Sequence, residues 1–194
     1  MTDRPIIMSA PMVNALLDGR KTQTRRLATS PLRKAQPGDR LYVREAFVPW
    51  DAGVNPNVMT RADMALTDLK TGYRSLDYKC YGPWRPSIHM PRSLSRLTLV
   101  VTEVRRQRLQ EISDPDAEAE GVVFETADPP FWYVPGIMPH SLTAVEIEER
   151  PRASYAKLWD HLHGAGAWEK NPDVVRISFT VHQANIDALA EEAA

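Results

Sequence analysis

The stretch 18–26 constrains the fold more than any other, because a glycine there separates a short apolar helix from a polar, cationic segment. Gly19 stands where a helix usually ends in a left-handed residue, a conformation that glycine adopts without steric cost. Leucines flank the stretch on both sides, which indicates that it packs against structure. We therefore expect a helix, a bend at Lys21 and a short strand over 22–27.

Side chains alternate between two faces along such a strand. Thr24 and Arg26 share one face, and Gln23 and Arg25 share the other. Strict alternation groups Lys21 with the second face, so Lys21 and Thr24 serve one site only if the chain bends or bulges between them. Two interpretations follow for the segment: a functional site, or a solvated cationic edge strand whose charges discourage aggregation.

Length and composition suit a single folded domain. The chain has 194 residues, of which 43% are hydrophobic and 25% charged, and we expect one domain over 1–194. No apolar run approaches the roughly 20 residues of a membrane span, and the first residues lack the apolar region of a signal peptide. We expect a monomeric cytoplasmic protein with no membrane partner.

The number of cysteines limits which metal sites and disulfide bonds the chain can form. Cys80 is the one cysteine of the chain, which excludes an internal disulfide framework and any zinc site built on several thiolates. A reduced compartment fits a lone thiol. We therefore expect neither a bound metal nor a cofactor.

Charge is divided along the chain although the net charge is −1. Residues 1–108 carry 19 Lys and Arg against 9 Asp and Glu, whereas residues 109–194 carry 5 against 16. If the two halves form different faces, the first is positive enough to attract a polyanion. The alternative is that the halves interleave and pair their charges across the structure.

Hydrophobic periodicity and capping residues predict an α+β chain. Helices are expected where apolar residues recur at helical spacing between a capping residue or proline and a glycine, namely from Ser9 to Leu17, from Ser113 to Gly121 and from Ala153 to His163. Strands are expected at alternating or continuous apolar runs, namely 6–8, 22–27, 41–47, 97–109 and 174–181. The alanine-rich end favours a short helix or a frayed terminus.

Two stretches lack sustained periodicity. Residues 49–80 contain a turn sequence with glycine and proline, and they are predicted to form a loop-rich insertion without a core of its own. Residues 125–152 are rich in proline and aromatic residues, and they are predicted to form an irregular excursion, with a lid as one interpretation.

Four residues outside the 18–26 stretch are candidate substrate-binding residues. Glu45 interrupts an apolar strand face, either as a carboxylate in a pocket or as the first residue past the rim of the sheet. Trp84 offers a ring that either stacks on a base or packs under a loop. Arg92 and Arg96 carry guanidinium groups suited to phosphate. The expected partner is a modified nucleoside or RNA.

The spacing of Gly19, Lys21, Thr24 and Arg26 matches a Gly-x-Lys-x-x-Thr-x-Arg signature, and in this respect the chain resembles the ASCH domain family of the PUA-like superfamily. Further resemblance, to longer ASCH proteins commonly encoded by phages and prophages, lies in three segments: 38–45, 84–92 and 114–122. The resemblance covers most of the chain. It implies an α+β fold built on a small mixed β-barrel with flanking helices.

The resemblance also implies an activity. Many PUA-like domains bind RNA or modified bases, whereas a small ASCH branch hydrolyses the amide of N4-acetylcytidine to cytidine and acetate. Carried over to this sequence, the catalytic positions are Lys21, Thr24 and Glu120, with Arg26 close enough to bind a substrate oxygen or restrain Glu120. The alternatives are a ribonuclease and an RNA-binding or modified-nucleotide-binding module without catalysis, in which phosphate is contacted by Lys21, Arg26, Arg92 and Arg96.

Amide hydrolysis needs a nucleophile, a group that stabilises the oxyanion and an acid for the leaving nitrogen. Thr24 either attacks directly or orients water. Lys21 acts as a base at neutral pH only if burial or neighbouring cations lower its pKa; Arg25 and Arg26 supply such cations, whereas a nearby Glu120 favours the charged form. Glu120 is also expected in the last turn of a helix, where the helix dipole mildly disfavours a carboxylate. The sequence leaves open whether Lys21 takes a proton or polarises the substrate carbonyl.

Overall fold

The structure, a computed structural model, describes residues 1–50, 57–63, 83–125, 131–133 and 150–191. Most of the predicted insertion over 49–80 and most of the predicted excursion over 125–152 lie outside these residues. Within the described ranges, no helix combines the length and apolar character needed to cross a membrane.

Helices and strands both contribute to the described part of the chain. The helices are α1 (Ala10–Leu17), α2 (Asp114–Ala119), α3 (Pro151–His163) and α4 (Ala188–Glu191). The main sheet contains β1 (Asp3–Ile7), β2 (Gln23–Leu27), β3 (Arg40–Arg44), β6 (Thr98–Arg108) and β9 (Asp173–His182). Two antiparallel pairs form the smaller sheets: β4 (Phe47–Trp50) with β5 (Asn57–Thr60), and β7 (Val123–Glu125) with β8 (Phe131–Tyr133).

The main sheet has the strand order β1-β3-β6-β9-β2. β1 and β3 are parallel, whereas β3 pairs with β6, and β2 pairs with β9, in antiparallel fashion. The predicted α+β class is therefore confirmed. The described strands form an open mixed sheet rather than a closed barrel, because β1 and β2 are its two ends and closure requires the end strands to pair.

The chain groups into two compact units. Unit 1 comprises Met1–Leu17, Asp39–Val100 and Val181–Ala194, and unit 2 comprises Asp18–Gly38 and Val101–Thr180. Each unit buries its own set of apolar side chains. The largest in unit 1 include Ile6, Leu16, Leu41, Phe47, Met90, Leu97 and Leu99, and those in unit 2 include Leu109, Leu158, Trp159, Val175 and Ile177.

Local sequence signals set the ends of α1, which precedes the candidate site in the chain, and of α2, which carries part of it. Gly19, just after α1, has φ +72, and Gly121, just after α2, has φ +100, both in the region that favours glycine. The Ser113 side chain caps α2 by accepting a hydrogen bond from the Asp116 N–H at 3.3 Å. The predicted helix starts and stops at these positions are confirmed.

One predicted strand is wrong in its extent. A single strand was expected over 41–47, but β3 ends at Arg44 and β4 begins at Phe47. The break falls at Glu45, whose backbone N–H donates to the Met90 sulfur at 3.2 Å instead of to a neighbouring strand. Side-chain alternation alone does not reveal such a break, because apolar residues continue on both sides of it.

Candidate functional site in unit 2

The candidate site lies where the start of β2 meets the end of α2. The Thr22 N–H donates to the Ala119 carbonyl at 2.9 Å, and the Thr22 carbonyl accepts from the Phe179 N–H at 2.9 Å. Thr22 is thus bonded to α2 on one side and to β9 on the other. Because Lys21 precedes Thr22 directly, these two backbone bonds hold Lys21 against the end of α2.

Lys21 and Glu120 form a buried ion pair. The Lys21 Nζ donates to the Glu120 Oε2 at 2.7 Å and to the Glu120 backbone carbonyl at 2.9 Å. The two side chains are only 2% and 4% exposed. The ammonium therefore neutralises both the carboxylate and a carbonyl at the negative end of α2, which explains how a glutamate is tolerated there.

Arg25 binds the other oxygen of the same carboxylate. Its Nη1 donates to the Glu120 Oε1 at 3.1 Å and to the Gln23 Oε1 at 3.0 Å, while its Nη2 donates to the Asp116 Oδ2 at 2.8 Å. Gln23 in turn donates from Nε2 to the Asp116 Oδ1 at 3.0 Å. The Arg25 side chain is fully buried, so this network fixes Glu120 from the side opposite Lys21.

The network continues to the neighbouring strand. Arg176 on β9 stands directly opposite Arg25 in the β2–β9 register, a placement that is unfavourable for two cations. Carboxylates relieve it, because Arg176 donates to the Asp116 Oδ1 at 3.5 Å and also binds Glu103. Asp116 thus bonds to both arginines.

The electrostatics of the site favour proton exchange at Lys21. Burial lowers the pKa of Lys21 from its ordinary value; the Glu120 carboxylate opposes this, while the Arg26 and Arg25 guanidinium groups add to it. Burial followed by the Glu120 charge raises the pKa of the Tyr155 phenol well above 10.0, so Tyr155 stays protonated beside the pair. A lysine that ionises less readily than usual is suited to accept a proton during catalysis.

The pKa of Asp116 shifts in the opposite sense to what burial alone would give. Burial raises it, but the hydrogen bond from Gln23 and the charges of Arg25 and Arg176 outweigh burial and lower it below 3.8. Asp116 is therefore a stable anion beside Arg25 at neutral pH.

Thr24 and Arg26 occupy the remaining positions of the predicted motif. Thr24 is buried on β2 opposite Ile177. Since Gln23 and Arg25 reach α2, strand alternation turns Thr24 to the other face, and the structure gives no hydrogen bond from Thr24 to Lys21 or Glu120 among the described residues. Arg26 is half-buried and interacts electrostatically with Glu120; burial lowers its pKa.

Sequence reasoning did not assign Gln23 and Asp116 to the site, and it gave Arg25 no role beyond that of a cation beside Lys21. A signal for them was present: Gln23 and Arg25 share the strand face of Lys21, and Asp116 stands four residues before Glu120, on the same face of a helix. Only the resemblance, which places Lys21 and Glu120 at one site, predicts that β2 and α2 meet; local sequence patterns do not, because Arg25 and Glu120 are 95 residues apart.

The predicted residues Glu45 and Arg96 lie in unit 1 and bind each other. Arg96 donates from Nε to the Glu45 Oε1 at 2.9 Å and from Nη2 to the Glu45 Oε2 at 3.1 Å. It also donates to the Asp63 Oδ1 at 2.6 Å and to the Thr60 hydroxyl at 2.9 Å. Glu45 is buried and Arg96 is partly exposed.

Trp84 and Arg92 also lie in unit 1. The Arg61 guanidinium stands over the Trp84 ring at 5.2 Å from the centroid, and Trp84 is half-buried. Arg92 binds Asp3 at 2.7 Å and Asp187 at 2.5 Å, with its guanidinium 5.9 Å from the centroid of the Tyr42 ring. Both unit 1 arginines with predicted phosphate roles, Arg92 and Arg96, are thus bonded to carboxylates.

Unit 2 also contains a cavity of about 780 Å³ between the start of α2, α3 and the segment that follows α3. Acidic and basic side chains line it together, among them Asp114, Lys157 and Asp160, with the Trp168 ring. None of the predicted site residues lines this cavity. Across the described ranges, no group of three or more His, Cys, Asp or Glu side chains is arranged to hold a metal ion.

Comparison with known proteins adds one distant structural neighbour. No protein-family model and no curated protein matches the chain. A crystal structure of the hypothetical protein PH0355 aligns with a TM-score of 0.41 and 13% sequence identity, covering 94% of this chain and 100% of that chain. A likeness at this level carries no argument about fold or function.

Proposed function

We propose that unit 2 carries an amidohydrolase site that acts on N4-acylated cytidine or a related modified nucleoside. The observation that supports it is the buried pair of Lys21 and Glu120, whose Nζ and Oε2 atoms stand 2.7 Å apart. Proton transfer requires heavy atoms at roughly 2.6–3.2 Å. The proposal includes membership of the PUA-like ASCH group, supported by the Gly19 to Arg26 signature.

Lys21 and Glu120 are the groups that move protons in the proposed reaction. Burial is the main cause of the lowered pKa of Lys21. The lower pKa increases the fraction of Lys21 that is a neutral amine near neutral pH. The neutral amine takes a proton from the attacking hydroxyl group, and Glu120 accepts or returns that proton through its bond to Nζ. Lys21 thus acts as the base, with Glu120 as its exchange partner.

The atoms of the proposed hydrolysis balance with water as the only co-substrate. The attacking oxygen bonds to the amide carbon, the bond between that carbon and N4 breaks, and the proton removed from the nucleophile passes to the leaving N4 amine. The products are cytidine and the carboxylic acid. Arg26, which interacts with Glu120 and stands beside Arg25 on β2, is the proposed cation for the substrate oxygen.

The geometry of unit 1 gives less support to an RNA-binding module or a ribonuclease. Arg92 and Arg96 are the two predicted phosphate contacts that lie in unit 1, and each is bonded to two carboxylates. A phosphate would have to compete with these carboxylates for the guanidinium groups. We therefore place binding without turnover second, as an outcome that the assay below detects.

The test is to incubate the purified protein with N4-acetylcytidine, with cytidine and with oligonucleotides, and to identify products by mass. We expect cytidine and acetate from the acylated substrate. Lys21→Met and Glu120→Gln keep the approximate side-chain size and should each lower turnover by about 10²–10⁴-fold, the usual contribution of acid–base catalysis. Arg108→Gln, which removes an exposed arginine of unit 2 paired with Asp173, is the control and should keep full activity.

Full turnover in a folded Glu120→Gln protein would contradict the assignment, as would cleavage of unmodified oligonucleotides alone. Binding of the acylated nucleoside without products would favour a binding module. Circular dichroism of each variant separates loss of chemistry from loss of fold.

Thr24→Ala identifies the nucleophile. If Thr24 attacks the carbonyl, the alanine variant loses turnover to the same extent as Lys21→Met, and the wild-type protein carries a transient acyl group on Thr24 that mass spectrometry detects. If water attacks, the variant keeps most of its turnover. Strand alternation, which turns Thr24 away from the face of Gln23 and Arg25, favours water.

A further inference from the structure

We propose that Arg25, held by Asp116, is a positioning residue that fixes the Glu120 carboxylate for Lys21. The inference rests on the proposed function and deepens it, because the proposed reaction assigns no role to Arg25 or Asp116. It concerns a continuous chain of bonds, Asp116 to Arg25 to Glu120 to Lys21, within unit 2.

The first argument is the division of the carboxylate between two cations. The Glu120 Oε1 accepts from Arg25 and the Oε2 accepts from Lys21, at 3.1 and 2.7 Å. With one oxygen anchored by a buried guanidinium, the carboxylate does not rotate freely. The other oxygen is therefore presented to the Lys21 Nζ in one orientation.

The second argument is that both terminal nitrogens of Arg25 are themselves bound, although its buried Nε has no hydrogen-bond partner among the described residues. Its Nη1 also donates to Gln23, its Nη2 donates to Asp116, and its guanidinium stands 6.0 Å from the centroid of the Tyr155 ring. The planar, multi-donor geometry of arginine makes such a clamp rigid. A lysine at this position would keep the positive charge but lose the two terminal nitrogens with which the guanidinium group donates in fixed directions.

The third argument concerns stability. A buried ion network is rarely more stable than apolar packing of the same volume, because desolvation offsets the attraction between the charges. Arg25 also stands beside Lys21 and opposite Arg176, so its charge is locally repelled. Its position is better explained by what it does to Glu120 than by the stability it adds.

The series of bonded charges from Asp116 to Lys21 predicts that removing Arg25 and removing Asp116 shift the pKa of Lys21 in opposite directions. The groups that act on Lys21 are Glu120 from the end of α2 and Arg25 and Arg26 from β2, while Tyr155 from α3 is affected by the Glu120 charge and acts on Arg26. Removing the Arg25 cation frees Glu120 to bind Lys21 alone, which raises the pKa of Lys21. Removing the Asp116 anion leaves the Arg25 charge less compensated, which lowers it.

The experiment measures the Lys21 pKa directly in the full chain by ¹³C NMR of labelled lysine side chains, with the Lys21 signal assigned by its loss in Lys21→Met. Arg25→Gln should move the titration to higher pH and Asp116→Asn to lower pH. Arg108→Gln, the matched loss of an exposed cation in the same unit, should leave it unchanged. In the turnover assay, the acidic limb of the pH profile should move in the same two directions.

Arg25→Lys separates charge from geometry. We expect it to return the Lys21 titration toward the wild-type value, because the cation is retained, while turnover stays at least about tenfold reduced because Glu120 is no longer clamped. Should Arg25→Gln fail to fold, Asp116→Asn still carries the test, since the Asp116 side chain is 21% exposed and the substitution keeps its size.

The outcomes distinguish the two proposals. Shifts in the same direction for both variants, or none beyond that of Arg108→Gln, overturn the positioning role whether or not the protein is a hydrolase. The two opposite shifts without turnover of N4-acetylcytidine by the wild-type protein support the positioning of Glu120 and overturn the proposed reaction. If both variants turn over the substrate and the acidic limb of the pH profile moves in neither, the proposed reaction is retained and Arg25 and Asp116 have no role in it.

Discussion

Each unit contains a cluster of ion pairs around a buried glutamate, but the two clusters pair that glutamate with different cations. In unit 2, Glu120 binds two cations, Lys21 and Arg25, and none of these three side chains is more than 4% exposed. In unit 1, Glu45 is 3% exposed, yet both of its oxygens accept from one arginine, Arg96, whose side chain is 34% exposed.

The difference shows that a buried carboxylate by itself does not indicate catalysis. Arginine keeps its proton throughout the accessible pH range, so Arg96 is a permanently charged, bidentate partner of Glu45. Burial and neighbouring cations favour the neutral form of a lysine, and burial lowers the pKa of Lys21 from its ordinary value. The titratable partner is what makes the unit 2 cluster the stronger candidate for chemistry.

The largest expected effect is the loss of one partner from the buried pair in unit 2. Glu120→Leu should lower the free energy of unfolding by about 3–5 kcal/mol, because it leaves the Lys21 ammonium buried without an anion. The double variant with Lys21→Met should be more stable than Glu120→Leu alone, since the unpaired charge is then removed as well. Urea unfolding of both proteins measures the difference, and a double variant less stable than the single would contradict it.

A smaller effect is expected at the cluster in unit 1. Arg96→Gln should lower the free energy of unfolding by about 1–3 kcal/mol, because Glu45 loses a bidentate partner but water reaches a position that is one-third exposed. The control is Arg92→Gln, whose partner Asp187 is 58% exposed and which should cost about 0–1 kcal/mol. Equal losses for Arg96→Gln and Glu120→Leu would remove the distinction between the clusters.

The smallest effect is confined to acid pH and concerns the outer carboxylate of the unit 2 cluster. The pKa of Asp116 is below 3.8 in the folded protein, because Gln23, Arg25 and Arg176 outweigh its burial. The folded state therefore binds fewer protons than the unfolded chain as pH falls, and the stabilisation is present above pH 3.8 and lost as pH falls through the lower folded pKa.

Asp116→Asn removes this dependence. The difference in unfolding free energy between wild type and Asp116→Asn should stay constant from neutrality to near pH 3.8, and it should shrink as pH falls from there through the lower folded pKa of Asp116. A difference that stays constant over that range would show that Asp116 gains nothing from its three partners.

In unit 2, ion pairs join residues from the basic and the acidic parts of the sequence. Lys21 and Arg25 come from the basic first part of the chain, whereas Asp116 and Glu120 come from the acidic second part. These pairs follow the interpretation in which the two parts interleave and neutralise each other. Net charge by segment was therefore a guide to pairing here rather than to a basic surface.

Local chemistry in the sequence determined the elements that frame the site. Gly19 and Gly121 end α1 and α2 because only glycine takes a positive φ there at little cost, Ser113 caps α2, and the alternation of apolar residues identified β6 and β9. Each of these signals depends only on residues a few positions apart, so the sequence is enough to predict the corresponding helix end or strand.

Apart from Lys21 and Glu120, which the resemblance already assigned to one site, only the tertiary structure decided which charged side chains meet. Arg25 resembles any exposed strand arginine in the sequence, and its burial depends on a helix that lies 91 residues later in the chain at Asp116. Glu45 and Arg96, 51 residues apart, are joined in the same way. Ion-pair geometry depends on angstrom-scale placement between distant elements, whereas hydrophobic periodicity specifies only which face of each element is buried.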